Sequence, residues 1–199
     1  KIVIAYEPVW AIGTGKTAVA NIFSDLGIPI YNSDLSAKKL MNSNKNLGKL
    51  ITQSFGNESF KDGYLNKNYL SELVFNSTKS LDKLNSIVHP FVAEDFNSWV
   101  ADQDAKYIIK EAAILIESGA YKQMDKIILV TCPLSIRIER VLARDRSLEE
   151  DVLQRINNQM SDKEKIKYSD YIIENDLSVL DLKNQVEILH SKLLLASKI

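Results

Sequence analysis

Five short apolar runs along the chain have the length and composition of buried strands. They are rich in β-branched residues and lie far apart in the sequence. In chain order they are "KIVIAY", "IPIYNSD", "KYIIKEAAIL", "KIILVTCP" and "DYIIEND". Between the first two lies "GKTAVANIFSDLG", whose apolar residues have helical spacing and which Gly27 is placed to end. A strand, a helix and a strand in this order predict parallel pairing with a right-handed crossover.

The segment between the second and third runs follows helical spacing instead. "LSAKKLMNSNKNLGKLITQSFG" predicts a helix that ends at Gly56. The following "NKNYLSELVF…FNSWVADQ" predicts two or three helices with a break near Pro90, so no strand is predicted in this region. Beyond the fourth run, two helical stretches flank a charged interruption, and a last helix follows the fifth run. The pattern predicts an α/β fold: a parallel sheet of about five strands with helices on both faces and a helical insertion.

Composition narrows the class of partner. The formal net charge is −1 and 26% of residues are charged, so a broad nucleic-acid-binding surface is not expected. No apolar run approaches the roughly 18 residues of a membrane span. The single cysteine, Cys132, excludes an internal disulfide framework and favours a reducing compartment. We therefore expect a cytoplasmic protein, monomeric or a small homo-oligomer, that acts on a small molecule.

The chemistry-bearing motif nearest the start is "GTGKT", residues 13–17, between a predicted strand and a predicted helix. A P-loop has the pattern G-x-x-x-x-G-K-[ST] in that position, because backbone N–H groups there surround phosphate oxygens. Gly15, Lys16 and Thr17 fit the end of the pattern. Trp10 stands where its first glycine belongs, and a tryptophan does not easily permit the tight turn.

The same stretch also resembles a different family. "AYEPVWAIGTGK", within about residues 1–18, resembles the active-site loop of triosephosphate isomerase, in which Glu7 would match the catalytic base. That enzyme needs a barrel of about 250 residues and catalytic groups from several strand ends. Here no earlier strands exist to supply them, and the only histidines are His89 and His190. Isomerase activity is therefore the weakest hypothesis.

From Gly13 to the C-terminus the chain resembles the dephospho-CoA kinase family. The resemblance rests on several spaced motifs in the family's order: "GTGKTAVANIFSDLGIPIYNSD", "FGNESFKDGYLNKNYLSELVF", "LNSIVHPFV", "IIKEAAILIESG", "VTCPLSIRIERVLARD" with "RINNQM", and "SDYIIEND". It implies a single P-loop NTPase-type three-layer domain over residues 1–199, with a helical substrate-binding insertion at about 57–103 and a helical lid at about 138–165. It also implies ATP-dependent phosphorylation of the ribose 3′-hydroxyl of dephospho-CoA, giving CoA and ADP.

The resemblance also assigns roles to individual residues. Lys16, Asp34 and Arg144 would be catalytic: a phosphate-bridging cation, an acceptor of the hydroxyl proton, and a lid cation over the transferring phosphate. Thr17 would bind Mg²⁺, and His89 and Glu111 would bind the acceptor. The residues expected to bind ATP are Gly13, Thr14, Gly15, Lys16, Thr17, Ala18 and Asn175.

Structural alternatives stand beside several of these roles. Asp34 has the residue type of a helix N-cap, and Arg144 could be one member of a solvated charge cluster. His89 could shape a helix junction before Pro90, and Glu111 could be a surface carboxylate on an edge strand.

Two further hypotheses follow from the opening segment. The isomerase-like and kinase-like stretches meet at "GTGK", as expected of a chimera that joins an isomerase strand and loop to a kinase body. In that case Glu7, Pro8 and Trp10 should weaken ATP binding while most of the fold is retained. A catalytically inactive P-loop-like scaffold is the alternative from another functional class.

Overall fold

The structure is a computed structural model that describes residues 2–8, 16–75, 77–145, 149–157, 160–176 and 178–196. Residues with numbers 1–31 and 103–199 form one compact unit, and Asn32–Asp102 form a second. We refer to them as the sheet unit and the helical unit. Within the described part of the chain, no helix combines the length and apolarity required to cross a membrane.

The sheet unit is built from alternating strands and helices, and β2 ends at the boundary with the helical unit. In chain order its elements are β1 (Ile2–Pro8), α1 (Lys16–Asp25), β2 (Ile30–Asn32), β5 (Tyr107–Glu111), β6 (Lys126–Thr131), α6 (Leu134–Asp145), α7 (Glu149–Asn157), α8 (Asp162–Ile166), β7 (Tyr171–Glu174) and α9 (Val179–Ala196). The strand order in the sheet is β2-β5-β1-β6-β7. The isomerase-like stretch therefore supplies the central strand of an open sheet, and the described residues form no eight-stranded barrel.

Parallel pairing and two covered faces confirm the predicted fold class. β1 pairs in parallel with both β5 and β6, with Ile4 opposite Ile109 on one side and Lys126 on the other, and β6 pairs in parallel with β7. One sheet face packs its apolar residues against α1 and α9. The opposite face uses Leu129 to pack against α6 and α7. This is a three-layer arrangement, in which strands buried on both faces read as continuous apolar runs.

The end of α1 shows how local sequence sets the crossover. Gly27 has φ +78°, a left-handed conformation that favours glycine. The Gly27 N–H donates to Ser24 O and the Ile28 N–H donates to Phe23 O, which together form a Schellman motif. The predicted helix stop at Gly27 is confirmed, and the chain turns there into β2.

The described residues of the helical unit form four α-helices and a small hairpin. Its elements are α2 (Ser33–Ser43), α3 (Lys45–Phe55), β3 (Phe60–Lys61), β4 (Tyr64–Leu65), α4 (Lys67–Phe75) and α5 (Thr78–Ala101). Its buried apolar residues are Leu47, Ile51, Leu70, Val88, Val92 and Phe96. Phe96 stacks on Trp99 with ring centroids 6.3 Å apart, so these two aromatic residues are part of the packing.

Two predictions for the helical unit were wrong. The break near Pro90 does not occur, because α5 is continuous through this residue. Pro90 and Ser86 are both exposed, so water can reach the Ser86 carbonyl that loses its helical donor, while the buried face of α5 stays packed. The single helix predicted before Gly56 is two helices, because the Asn44 side chain accepts hydrogen bonds from two N–H groups at the start of α3.

A hairpin also lies where no strand was predicted. Asp62 and Gly63, between β3 and β4, have φ of 52° and 82°. Positive φ at both central residues is the requirement of a type I′ turn, and Asp-Gly is among its preferred sequences. The signal was therefore present in the sequence, but each strand is only two residues long.

Candidate active site

Glu111 ends β5, which lies between β2 and β1 in the sheet. The residue is only 6% exposed, so the alternative of a surface carboxylate on an edge strand was wrong. Lys110, beside it in the strand, is 8% exposed, and burial lowers the pKa of its ammonium group. Two ionisable groups are thus buried at the carboxyl end of an interior strand, the sheet edge where proteins of this architecture bind ligands.

The carboxyl ends of β6 and β7 are joined by a half-buried arginine. Arg140 Nη1, from α6, donates to the backbone oxygen of Asn175 at 3.0 Å and lies 3.4 Å from Cys132 Sγ. The Asn175 N–H in turn donates to Thr131 O at 2.8 Å. Asn175 is 6% exposed, and both its N–H and its carbonyl oxygen are hydrogen-bonded. Asn175 thus lies at the same edge as Glu111.

Cys132 has the surroundings of a packed thiol. It is 2% exposed, and burial raises the pKa of the thiol despite the nearby positive charge of Arg140. A nucleophilic cysteine requires a lowered pKa and access. Cys132 is therefore packed as a small core residue and lacks the access that a nucleophile needs.

The predicted phosphate loop is only partly within the described chain. Gly13, Thr14 and Gly15 lie outside the described residues, as does Trp10. Lys16 begins α1 and Thr17 follows it, but their side chains also lie outside what is described. Ala18 packs, half-buried, against the main core cluster. The described part is thus a central strand followed by a helix whose first residue is the motif lysine.

Arg144 lies near the end of α6, and its side chain is outside the described part. The middle of α6 packs against the sheet and against α7. Val141 is fully buried and packs with Val152 and Ile156 of α7 over Leu129. The region predicted as a lid therefore includes residues that belong to the core of the sheet unit, and its boundaries remain a prediction.

Asp34 belongs to the helical unit, in the first turn of α2. The N-cap of that helix is Asn32, whose Oδ1 accepts from the Leu35 N–H at 2.9 Å. Asn32 therefore caps α2. Asp34 itself is exposed, and its carboxylate is not the cap.

His89 also belongs to the helical unit and is exposed on the middle of α5. Because α5 continues through Pro90, His89 does not mark a helix junction. Its role in binding the acceptor stays a prediction.

A basic cavity of about 330 Å³ lies within the helical unit, close to the start of α5. Its lining includes Lys79, Lys83 and Tyr69. Lys83 Nζ donates to Ser54 O at 3.3 Å and lies 5.6 Å from the centre of the Phe55 ring, while the Tyr69 hydroxyl donates to Phe55 O at 2.8 Å. These contacts tie α4 and α5 to the end of α3, so the polar groups of this cavity have a packing role.

Two ion pairs in the sheet unit were not predicted. Arg137 Nη2 and Asp162 Oδ2 are 2.9 Å apart, and Lys165 Nζ and Glu117 Oε1 are 2.7 Å apart. Lys165 is fully buried. Their partners are distant in sequence, and nothing in the local pattern of a charged helical hairpin distinguishes these residues from solvated neighbours.

Comparison with known proteins places this architecture in a family. The family model described as Dephospho-CoA kinase matches residues 10–181. A dephospho-CoA kinase from Bacteroides fragilis is 39% identical over 166 residues, which are 83% of this chain and 81% of that protein. The match begins beyond β1, and nothing in these comparisons relates the opening segment to triosephosphate isomerase.

Solved structures agree on the fold. The crystal structure of TT1252 from Thermus thermophilus aligns with a TM-score of 0.81 and 29% identity, covering 96% of this chain and 97% of that one. Shikimate kinase from Bacteroides thetaiotaomicron aligns with a TM-score of 0.52 and 14% identity, covering 96% and 98%, and supports the fold alone.

Proposed function

Because the chain belongs to the dephospho-CoA kinase family, we propose that it transfers the γ-phosphoryl group of ATP to the ribose 3′-hydroxyl of dephospho-CoA. The products are CoA and ADP. The observation that carries this proposal is the family match over residues 10–181, which includes the "GTGKT" motif between the central strand and α1. ATP is the phosphoryl donor of such a kinase.

The nucleotide is held at the carboxyl edge of the sheet unit. The backbone N–H groups of residues 13–18 surround the phosphates at the start of α1, and Lys16 bridges the β- and γ-phosphates. Asn175 contacts the base from the end of β7. The burial of Asn175 and the hydrogen bonds to its backbone support this role, because a fixed residue can position a base without ordering on binding.

Phosphoryl transfer then requires a base and charge stabilisation. Asp34, an exposed carboxylate in the first turn of α2, accepts the proton of the attacking hydroxyl. Arg144 stabilises the negative charge that spreads over the transferring group. Glu111 and His89 bind the acceptor, Glu111 from the end of β5.

Oxygen donors of the kind that Mg²⁺ prefers occur at this edge. Glu111 offers a buried carboxylate at the end of the strand next to β1, and Thr17 brings a hydroxyl to the second residue of α1. Among the described residues, no group of three or more carboxylate, histidine or cysteine side chains could hold a metal ion. Thr17 would hold Mg²⁺ through its hydroxyl, the role that the P-loop pattern gives to the residue after the lysine. When bound, the ion neutralises phosphate charge.

The opening segment reduces this activity. Trp10 occupies the first glycine position of the P-loop pattern, and Glu7 adds a negative charge to the strand that leads to the phosphates. This substitution is the observation that favours the second candidate, a folded scaffold that binds nucleotide too weakly to turn over. A chimeric origin of residues 1–18 would account for it.

A coupled assay of ADP release with dephospho-CoA tests the proposal. We expect ADP release that depends on dephospho-CoA and falls by about 10²-fold or more in Asp34→Asn. The matched control is Asp25→Asn, which alters a carboxylate at the end of α1. Isomerisation of glyceraldehyde 3-phosphate, run in parallel, tests the weakest hypothesis. No turnover in either assay, from a chain with a cooperative thermal transition, would establish the inactive scaffold.

A further inference from the structure

Helix α8 is a little over one turn long, yet it carries two ion pairs to two different elements. Asp162 receives the Arg137 guanidinium through both of its oxygens, at 2.9 and 3.4 Å. Lys165, three residues later, contacts Glu117 at 2.7 Å. The side chains of Lys165 and Arg137 are 0% and 7% exposed. Their acidic partners, Glu117 and Asp162, are 22% and 29% exposed, so replacing either of them removes a counter-charge from a buried cation.

The Lys165–Glu117 pair contacts the segment that follows Glu111, the residue proposed to bind the acceptor. We call this the acceptor side of the site. Residues 112–119 follow Glu111 directly and form a compact turn, in which the Ser118 N–H donates to Ile114 O at 3.0 Å. Leu115, in the same segment, is 1% exposed and packs on Ile127 of β6. Glu117 is therefore joined to Glu111 by a short segment that is hydrogen-bonded within itself and packed on β6.

The Arg137–Asp162 pair contacts α6, the helix that also carries Arg140 and Arg144. We call this the nucleotide side of the site. Arg137 lies in the first turn of α6, one turn before Arg140, which holds the backbone of Asn175. The same helix carries Arg144. A shift of the start of α6 would move both the base contact and the cation over the transferring phosphate.

The segment around α8 resists deformation. Ser161 and Glu164 form a capping box, with the Ser161 N–H donating to Glu164 Oε2 at 3.0 Å. Behind the helix, Tyr168 packs edge-on against Tyr121 with ring centroids 5.1 Å apart. Asp170 then accepts from the Ile127 N–H at 2.9 Å. α8 is thus fixed to the sheet and can hold two other elements.

We propose that α8 is a positioning strut that aligns the acceptor side of the site with the nucleotide side. Arg137, Asp162, Lys165 and Glu117 are its positioning residues. They touch neither substrate, and they act through the segment after Glu111 and through α6. The proposal rests on the proposed function for the roles of Glu111, Asn175 and Arg144. Phosphoryl transfer depends almost entirely on positioning and charge stabilisation, so small misalignments lower the rate of the chemical step.

Steady-state kinetics test the catalytic part. In Asp162→Asn we expect kcat to fall about tenfold while KM for ATP and for dephospho-CoA changes less than twofold, because alignment matters most in the transition state. Asp162→Glu, which restores the charge, should recover most of kcat. Lys165→Met, which removes the buried charge at the other end, should lower kcat similarly. The control is Glu187→Gln in the exposed Lys183–Glu187 pair of α9.

Amide hydrogen exchange tests the strut without requiring activity. Asp162→Asn breaks the pair to α6, and we expect exchange to increase at residues 112–119, which the strut contacts through the Lys165–Glu117 pair. Lys165→Met should likewise increase exchange at the start of α6. Exchange that increases only next to the substituted residue would overturn the proposal, as would an unchanged kcat in both variants. If the unmodified chain shows no kinase activity, the proposed function fails and the exchange result alone decides the strut.

Discussion

The two edges of the parallel sheet bury polar groups for different purposes. At the carboxyl edge, Glu111 ends β5 and Asn175 follows β7, and each residue is 6% exposed. At the amino edge, Tyr107 begins β5, is fully buried, and has its hydroxyl 2.6 Å from His190 Nδ1 of α9. The Tyr107 hydroxyl pairs with a neighbouring helix and has no proposed part in ligand binding.

This difference follows from how α/β sheets are built. Ligands bind outside the carboxyl ends of the strands, where the chain enters loops and helix N-termini. The amino ends are where returning helices pack, so a polar pair there stabilises the fold. We therefore expect substitutions at the carboxyl edge to change activity without changing stability, and substitutions at the amino edge to do the reverse.

Lys16→Ala should give the largest effect on the activity side of this comparison. Loss of the cation that bridges the phosphates should lower kcat/KM by about 10²- to 10³-fold, as for other groups that stabilise transition-state charge. The thermal midpoint should stay within a degree or two, because Lys16 is the first residue of α1 and the core lies beyond it. The ADP-release assay and a thermal melt together check this. A comparable loss in Lys38→Ala, on α2, would mean that the effect is not specific to the loop.

Replacement of residues 8–15 by a glycine-rich loop sharpens the comparison from the opposite direction. Removal of Trp10 should permit the tight turn that lets backbone N–H groups approach the phosphates, and we expect Mg·ATP to bind at least about tenfold tighter. Calorimetric titration of both chains measures this, with thermal midpoints as the stability readout. Equal affinities would show that the opening segment does not impair the site.

The strands and the site motifs were readable from the sequence for a physical reason. Strands buried on two faces are continuous apolar runs, and loops that bind phosphate need glycine at fixed spacing, so both leave local signals. The features that were missed depend on competition between neighbours. Asn44 divides a helical stretch because its side chain accepts hydrogen bonds from the first N–H groups of α3, so one helix ends and another begins there. Pro90 is tolerated within α5 because it lies on the exposed side of the helix.

The Lys165–Glu117 pair was not predictable for another reason. Both residues are ordinary charged side chains in the sequence, and it is the packing of α8 beside the segment after β5 that buries Lys165 next to Glu117, whose own side chain stays 22% exposed. The burial of Glu111 is similar, because it depends on the strand order that places β5 inside the sheet. Burial in both cases depends on the tertiary arrangement, which the local sequence pattern does not indicate.

Tyr107→Phe tests the stability side of the comparison. The substitution keeps the ring in the core but removes the hydroxyl next to His190, and we expect a loss of about 1 kcal/mol in the free energy of unfolding. For a chain of this size that is a decrease of about 2–4 °C in the thermal midpoint. Tyr64→Phe, on an exposed side chain of the hairpin, is the matched control. A fall in kcat with Tyr107→Phe would contradict the separation of the two edges.

The smallest expected effect is a dependence of stability on pH at the amino edge. Burial lowers the pKa of His190 in the folded chain below its ordinary value of 6.5. On acidification the unfolded chain therefore binds the proton first, and the free energy of unfolding increases with pH through this range. The contribution should be complete above the ordinary value and should be lost as the pH falls from there towards the lowered value of the folded chain.

Urea unfolding of the unmodified chain and of His190→Gln, each at pH 8 and pH 5.5, isolates this term. Carboxylates also titrate at lower pH, so the difference between the two chains carries the information and neither curve does so alone. We expect the unmodified chain to lose more stability than His190→Gln between these pH values, while kcat of both chains changes in parallel. Identical losses would place His190 in water in the folded state, and the polar pair at the amino edge would then contribute little to the fold.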